Sequence, residues 1–217
     1  MIAIRELADA DAAAWDALVV KCPSSGFMQS WAWSEFKRLE GYDILRLGVF
    51  EGGALVAGAI MFHFPSPQGA GLIAVPDGPV LDWNGPRCDF LLKELLKSAR
   101  RWSAALGAVA LRVEPRLPEC PPVLSGWGRS PVDLVPEETL EARLGPEPEM
   151  LSRMKPKGRY NARLALRRGV EVELTADASA VHDFHFVLES TGRYHDFLTE
   201  PKSFFINLAC SLPACAR

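Results

Sequence analysis

The sequence predicts an α/β protein with a mixed sheet, and three observations carry that prediction. Runs of strand character alternate with amphipathic helical runs in the order strand, two helices, hairpin, strand, helix, strand. A two-glycine turn, "EGG" at 51–53, separates two apolar stretches and marks the hairpin. Finally, "RCDFLLKELLKSARRWSAALG" places Phe90, Leu91, Leu95, Ala99 and Trp102 at helical spacing directly before the apolar "AVALRVEP".

Taken in order, "IAIREL" alternates as a first strand. "DADAAAWDALVVKC" then reads as a helix whose aspartates sit in the first turn, where the macrodipole favours them. "FMQSWAWSEFKRLEG" is predicted as a second helix, capped near Ser30 and ended at Gly41. It carries Trp33, Phe36 and Lys37 at i, i+3 and i+4, so Lys37 lies at the edge of an aromatic face. "YDILRLGVF" and "ALVAGAIMFHF" form the hairpin, and "GLIAVPDGPVLDW" is a strand broken by a Pro-Asp-Gly-Pro turn. The helix from Cys88 closes at Gly107, and "AVALRVEP" is expected to be a buried strand.

A Pro-rich connection from Glu114 to Pro136 is the expected boundary between units. Past it the charge changes sign: residues 137–149 hold five glutamates and one arginine, and residues 152–170 hold seven basic residues and no acid. "TLEARL" reads as a strand and "GPEPEMLSRM" as a short helix with Pro146 or Pro148 near its start. "MKPKGRYNARLALRRGV" is predicted as a helix with Pro156 at its start and Gly169 as its cap, which aligns Arg159, Arg163 and Arg167 on one face. "VEVELT" reads as a strand. "DASAVHDFHFVLESTGRY" reads as a helix with Val181, Phe184, Val187 and Leu188 inward, and "PKSFFINLACSL" as one more helix. The expected organisation is a first domain over 1–135 and the opening part of a second over 136–217. That second unit has too few strands of its own to cover its apolar faces.

Composition narrows the function classes. A hydrophobic fraction of 48% with 24% charged residues and a mean hydropathy of +0.04 is that of a globular chain. A net charge of −3 excludes a chain that coats nucleic acid, so any anion site must be local. The start is broken by Arg5, Glu6, Asp9, Asp11 and Asp16 and does not read as a signal peptide, and no apolar run approaches the ~20 residues of a membrane helix. Five cysteines, none in a Cys-x-x-Cys pair, point to reduced thiols in a cytoplasm and to no zinc site. No metal is expected.

Two features suggest chemistry. The basic helix reads either as a solvated face or as a phosphate or RNA-backbone site, because guanidiniums one turn apart fork onto phosphate oxygens. Lys37 beside Trp33 and Phe36 reads either as a snorkelling lysine or as an anion contact. His182 and His185 read as packed or capping residues, and no nucleophile with a base is visible.

"FMQSWAWSEFKRLEGYDILRLGVFEGGALVAGAIMF", "PDGPVLDW", "EMLSRMKPKGRYNARLALRRGVEV" and "FHFVLESTGRYHDFLTEPKSFFINL" together resemble the FemABX peptidyltransferases, over about residues 1 to 208. The resemblance implies two GNAT-like domains, the first complete and the second here incomplete. It also implies transfer of an amino acid from aminoacyl-tRNA to the stem-peptide side-chain amine of a peptidoglycan precursor, as UDP-MurNAc-peptide or lipid II, in cell-wall synthesis. That reaction uses no cofactor beyond the aminoacyl-tRNA co-substrate, and the resemblance names no catalytic residue. It assigns Lys37 and Arg159 to the precursor diphosphate, with Arg163 as a neighbour, and Tyr160, Phe204 and Phe205 as further substrate contacts. Gly158 and the pair Phe204-Phe205 stand where the family carries hydroxyl residues. The implied place is the cytoplasm or the inner face of the membrane. An incomplete second domain implies a chain inactive by itself.

Two alternatives stay open on the residues. One is a GNAT-type acyl-CoA N-acetyltransferase, for which "RLEGYD" at Arg38 to Asp43 is the nearest phosphate-turn match. The other is a non-catalytic remnant whose basic helix binds anionic ligands.

Overall fold

The computed structural model describes residues 2–66, 69–136, 138–140, 142–173, 175 and 177–212. Two compact units divide the chain: Met1–Val135 with Ala178–Arg217, and Pro136–Asp177.

In the first unit, β1 (Ile2–Glu6), β2 (Ile44–Glu51), β3 (Ala54–Phe64), β4 (Gly71–Pro76) and β5 (Ala108–Glu114) form one sheet in chain order. All neighbours are antiparallel except β4 and β5, so the sheet is mixed as expected. The parallel pair is joined through α3 (Cys88–Ala105), because parallel strands need a crossover. Gly52 and Gly53, at φ of 56° and 88°, supply the two left-handed positions of the hairpin turn.

Helices cover both faces of the sheet. Strand alternation sends Ala57, Ala59 and Met61 towards Leu92, Leu95 and Ala99 of α3. Ile60 and Phe62 point the other way, to Trp15 and Val19 of α1 (Ala12–Lys21) and Trp31 of α2 (Trp31–Leu39). Trp15 packs against Gly58, where a Cβ would stand 2.3 Å from the Leu47 carbonyl and 2.6 Å from the Trp15 ring. Glycine is therefore required there by close approach.

Gln29 is fully buried in the 3-10 turn Phe27–Gln29 and repairs a gap in the sheet. β3 and β4 pair over only three rungs before β4 diverges at Pro76, and the chain returns to pair Val80 with Gly58. Between these points the Gln29 carboxamide receives the Ile60 N–H at 2.8 Å and donates to the carbonyls of Ile60 (3.0 Å) and Pro76 (2.8 Å). Its own backbone carbonyl accepts from Trp15 Nε1 at 2.6 Å.

Asp77 follows at φ 54° with 4% of its surface exposed. Its carbonyl accepts from Ser25 Oγ at 2.8 Å and its carboxylate from the Met28 N–H at 3.3 Å. Burial raises the Asp77 carboxyl pKa, against the opposing pull of the Met28 N–H and Arg116. Asp77→Asn should therefore stabilise the protein at neutral pH, since asparagine keeps the acceptor, tolerates positive φ and carries no charge. The sign follows from linkage: a raised folded pKa costs stability when the group is ionised. The gain over wild type should shrink as pH falls through that raised pKa and vanish below the unfolded value, which urea melts across pH 3–7 would measure.

Several expectations need correction. Asp9 and Asp11 form a 3-10 turn before α1, and Asp11 takes two hydrogen bonds from Arg5 instead of lying in the helix's first turn. That pairing, with the Ala8 N–H, holds the Asp11 carboxyl at about 2. β5 is not a buried strand: it is the last strand of the sheet, paired on one side only, and Val109 is 77% exposed. "TLEARL" and "VEVELT" are not strands over their described residues, since no ladder partner pairs with them there. On α6 (Val181–His195) the inward side is formed by His185 and Gly192, whereas Phe184 and Val187 are 52% and 63% exposed. Val181 and Leu188 are part-buried on that same side, as expected, whereas Phe184 and Val187 were misplaced because the buried position is filled by a hydrogen-bonded histidine.

The Pro-rich connection is fastened to β5. Arg112 and Glu114 pair on one face, Arg112 donates to Ser130 Oγ at 2.9 Å, and Glu114 accepts the Leu134 and Val135 N–H groups at 3.2 and 2.9 Å. A unit boundary falls just beyond, at 135/136. Residues 178–217 group with the first unit because α7 (Lys202–Ser211) lies on α2. Phe204 meets Phe36 edge-on at 5.0 Å, and Asn207 donates to Glu40 Oε1 at 2.8 Å. The second unit consists of α4 (Glu147–Arg153) and α5 (Pro156–Arg167), with Gly169 at φ 72° beyond the end of α5.

Candidate functional site

Lys37 projects from the last turn of α2. The Ser30 side chain caps that helix by accepting from the Trp33 N–H at 3.2 Å, which fixes its start and thereby its aromatic face. Four rings surround the Lys37 ammonium: Tyr42 at 4.8 Å, Phe36 at 5.3 Å, Trp33 at 5.4 Å and Phe204 at 5.9 Å from Nζ to ring centroid. Two of them are the expected helix neighbours. Tyr42 comes from the link after α2, and Phe204 from α7, some 160 residues along the chain.

Burial pushes the Lys37 pKa down, and the negative charges of Glu40 and Glu200 pull it back up. Ring faces also favour the charged form. Among the described residues, the Lys37 ammonium makes no hydrogen bond and no ion pair, while the Lys37 backbone carbonyl accepts the Tyr42 N–H at 3.1 Å. Glu40 is held by Asn207 instead. A half-buried ammonium with all three donors unused, on an otherwise closed aromatic surface, suits an anion brought from outside.

The loops carrying this cage are tied by two histidines. His63, on β3, has Nδ1 3.3 Å from the Asp43 carboxylate and donates its backbone N–H to the Asp43 carbonyl at 3.0 Å, next to Tyr42. His185 has 9% exposure and places Nε2 3.0 Å from the Glu200 carbonyl. That carbonyl can only accept, so Nε2 carries the proton and anchors the start of α7. This agrees with the packed role expected for His185. His182 is exposed beside Lys202 Nζ at 3.2 Å.

The remaining sequence-predicted residues fall as follows. Phe205 packs away from Lys37, edge-on to Phe184 at 5.1 Å. Arg159, Tyr160 and Arg163 lie on α5 in the second unit. Arg159 Nη1 caps the end of α4 by donating to the Ser152 and Met154 carbonyls at 3.2 and 2.5 Å, and among the described residues Nε and Nη2 have no hydrogen-bond partner. Arg163 and Arg167 are exposed, and Arg167 lies 6.0 Å from the Tyr160 ring. At Gly158 a Cβ would meet Met154 atoms only at 3.7 Å or more, so its lack of a side chain is not imposed by packing.

Sequence reasoning missed Tyr42, Glu40, Glu200 and the tether made by His63, and it gave His185 a packed role without its partner. An aromatic residue directly after the Gly41 helix end was the one available signal, and nothing local marked Glu200. No cluster of three or more metal-ligating side chains is present among the described residues. Nor does a described helix have the length and apolarity to cross a membrane.

The "RLEGYD" stretch does not form a phosphate turn. It follows the C-terminus of α2, where carbonyls and the dipole repel anions, whereas a pyrophosphate cradle needs the N–H groups of a helix start. Arg38 is engaged by Glu35 at 2.6 Å and Asp43 by His63.

The sheet order, with helices on both faces, defines the class as a GNAT-like mixed α/β fold, and it matches the crystal structure of FemX with a TM-score of 0.75. That match is at 23% identity and covers 97% of this chain and 55% of FemX. The FemAB family model matches residues 11–121, just over half of the 217 residues, and the chain belongs to the FemAB family. Among characterised relatives it is similar to the Lipid II:glycine glycyltransferases of Staphylococcus aureus strains MRSA252 and NCTC 8325 / PS 47. Each is 26% identical over 209 residues, covering 89% of this chain and 49% of the relative. The chain therefore spans about half the length of these relatives.

Proposed function

We propose that this chain is part of an aminoacyltransferase of cell-wall cross-bridge synthesis. It transfers an amino acid from aminoacyl-tRNA to the stem-peptide side-chain amine of a peptidoglycan precursor. Family membership and the relatives' names support the reaction class and a lipid-linked muramyl precursor. The observation that carries the site is the unpaired ammonium of Lys37 in its ring cage, a cation suited to one end of a diphosphate. On α5, Arg159 and Arg163 are proposed by themselves as precursor-binding cations with Tyr160 as a further contact, and Phe204 as a substrate contact beside Lys37.

Such a reaction needs no nucleophile from the protein. The acceptor amine attacks the ester carbonyl directly, so the protein holds two substrates, accepts a proton and steadies the oxyanion. A lipid-linked precursor would bring the chain to the inner face of the membrane, and glycine is the first amino acid to test. The reading of residues 136–217 as the opening of a second GNAT-like domain belongs to the same proposal, supported by the coverage of 55% of FemX.

Titration calorimetry with UDP-MurNAc-pentapeptide and, separately, acetyl-CoA tests the site. Binding of the muramyl nucleotide without binding of acetyl-CoA is expected. Binding of acetyl-CoA alone would overturn the proposal in favour of an N-acetyltransferase, and equal binding of precursor and plain RNA with steep salt dependence would favour a nonspecific anion binder.

A further inference from the structure

We propose that Lys37 is an acylation site: its Nζ accepts an acyl group from a small activated carboxyl donor, and the neutral amide so formed switches off the anion grip of α2. The switching half rests on the diphosphate reading above, whereas the reactivity half rests on the burial of Lys37 and the groups around its ammonium.

A lysine attacks a carbonyl only through its unprotonated amine, so whatever holds the ammonium in place slows it. Lys93 is held by Asp89 at 2.6 Å and Lys97 lies 3.8 Å from Glu94, so each would lose an ion pair on deprotonation. Lys37 has no such partner among the described residues, and burial favours its neutral form. Against this stand the ring faces, which steady the cation, and the charges of Glu40 and Glu200. The product meets no such opposition: an N-acyl lysine is uncharged, its N–H can face a ring, and its acyl group adds apolar surface to the cage of Trp33, Phe36, Tyr42 and Phe204.

The step balances simply. Lys37 gives a proton to solvent, and the Nζ lone pair attacks the carbonyl carbon. A C–N bond forms as the bond from the acyl carbon to phosphate oxygen or thioester sulfur breaks, the leaving group departs with the electron pair, and the second amine proton goes to solvent. An acyl phosphate and an acyl thioester share this chemistry.

Acetyl phosphate and acetyl-CoA, each incubated with the intact chain at pH 7.5, separate the two donors, and peptide mass spectrometry reads the acetylation rate at every lysine. With at least one donor, Lys37 should be modified at least about threefold faster than the exposed Lys155 and Lys157, as expected for an amine whose charged form is disfavoured by burial. Pyrophosphate should slow the reaction at Lys37 and leave those two unchanged. Modification of Lys37 no faster than Lys155 and Lys157 with both donors would overturn the proposal. Fast modification without protection, and with unaltered pyrophosphate binding after acetylation, would overturn the switch and the diphosphate reading while sustaining the reactive site.

Discussion

Gln29→Leu is expected to destabilise the protein by about 3–5 kcal/mol, the range reached when several buried polar groups lose their partners at once. Leucine nearly fills the volume, so the loss isolates hydrogen bonding from cavity formation. The Ile60 N–H, the Ile60 carbonyl and the Pro76 carbonyl would each remain buried without the partner that Gln29 provides. Such groups cost roughly 1–3 kcal/mol apiece. Gln29→Glu should be at least as damaging at neutral pH. A carboxylate can only accept, so it would meet the two carbonyls with like partial charge, and its own burial would be uncompensated. Urea denaturation at constant m-value measures both variants, and a midpoint shift equivalent to less than about 1 kcal/mol for Gln29→Leu would show that water or local movement replaces the carboxamide. Against a total stability of about 5–15 kcal/mol for a typical domain, the expected loss is a large fraction.

Lys37→Ala should have the opposite profile, with little change in stability and a large loss of anion binding. The side chain contributes no hydrogen bond or ion pair to the fold among the described residues, so folding loses only the contacts of its stem and ammonium with the rings. A charge-assisted contact to phosphate is worth about 1.5–3 kcal/mol, which corresponds to roughly ten- to a hundredfold in affinity for a diphosphate-bearing precursor. Lys37→Arg should retain only part of that affinity, because the charge is kept but the planar guanidinium demands a different geometry from the ammonium. Arg159→Ala, by contrast, should weaken binding and loosen the α4 to α5 junction together, because Nη1 already holds two α4 carbonyls. Calorimetry paired with thermal melts separates these outcomes. Unchanged precursor affinity in Lys37→Ala would remove Lys37 from the site.

Much of this was legible along the chain because its causes are local. The Gly52-Gly53 turn dictates a hairpin wherever it occurs, and Ser30 caps α2 by accepting from the Trp33 N–H three residues on. Helical spacing alone put Lys37 beside Trp33 and Phe36. The unread parts have non-local causes. "VEVELT" and "TLEARL" carry strand-forming residues, yet a strand exists only where another strand answers its backbone groups. Phe184 looked inward because apolar residues usually do, but α6 buries His185, whose ring finds the Glu200 carbonyl only after the chain turns back at Asp196.

The sequence by itself determined the mixed α/β class, the family resemblance, the helix of arginines and the aromatic edge of α2. Each follows from periodicity, turn chemistry or motif order within a few residues. Only the tertiary structure decided that Gln29 stands in for a missing rung between β3 and β4, and that α7 returns to close Phe204 over Lys37. Both depend on which distant backbone or side-chain groups are left without partners once the sheet has formed. That is a property of the packed molecule, where burial makes an unsatisfied group costly, and no local pattern encodes it.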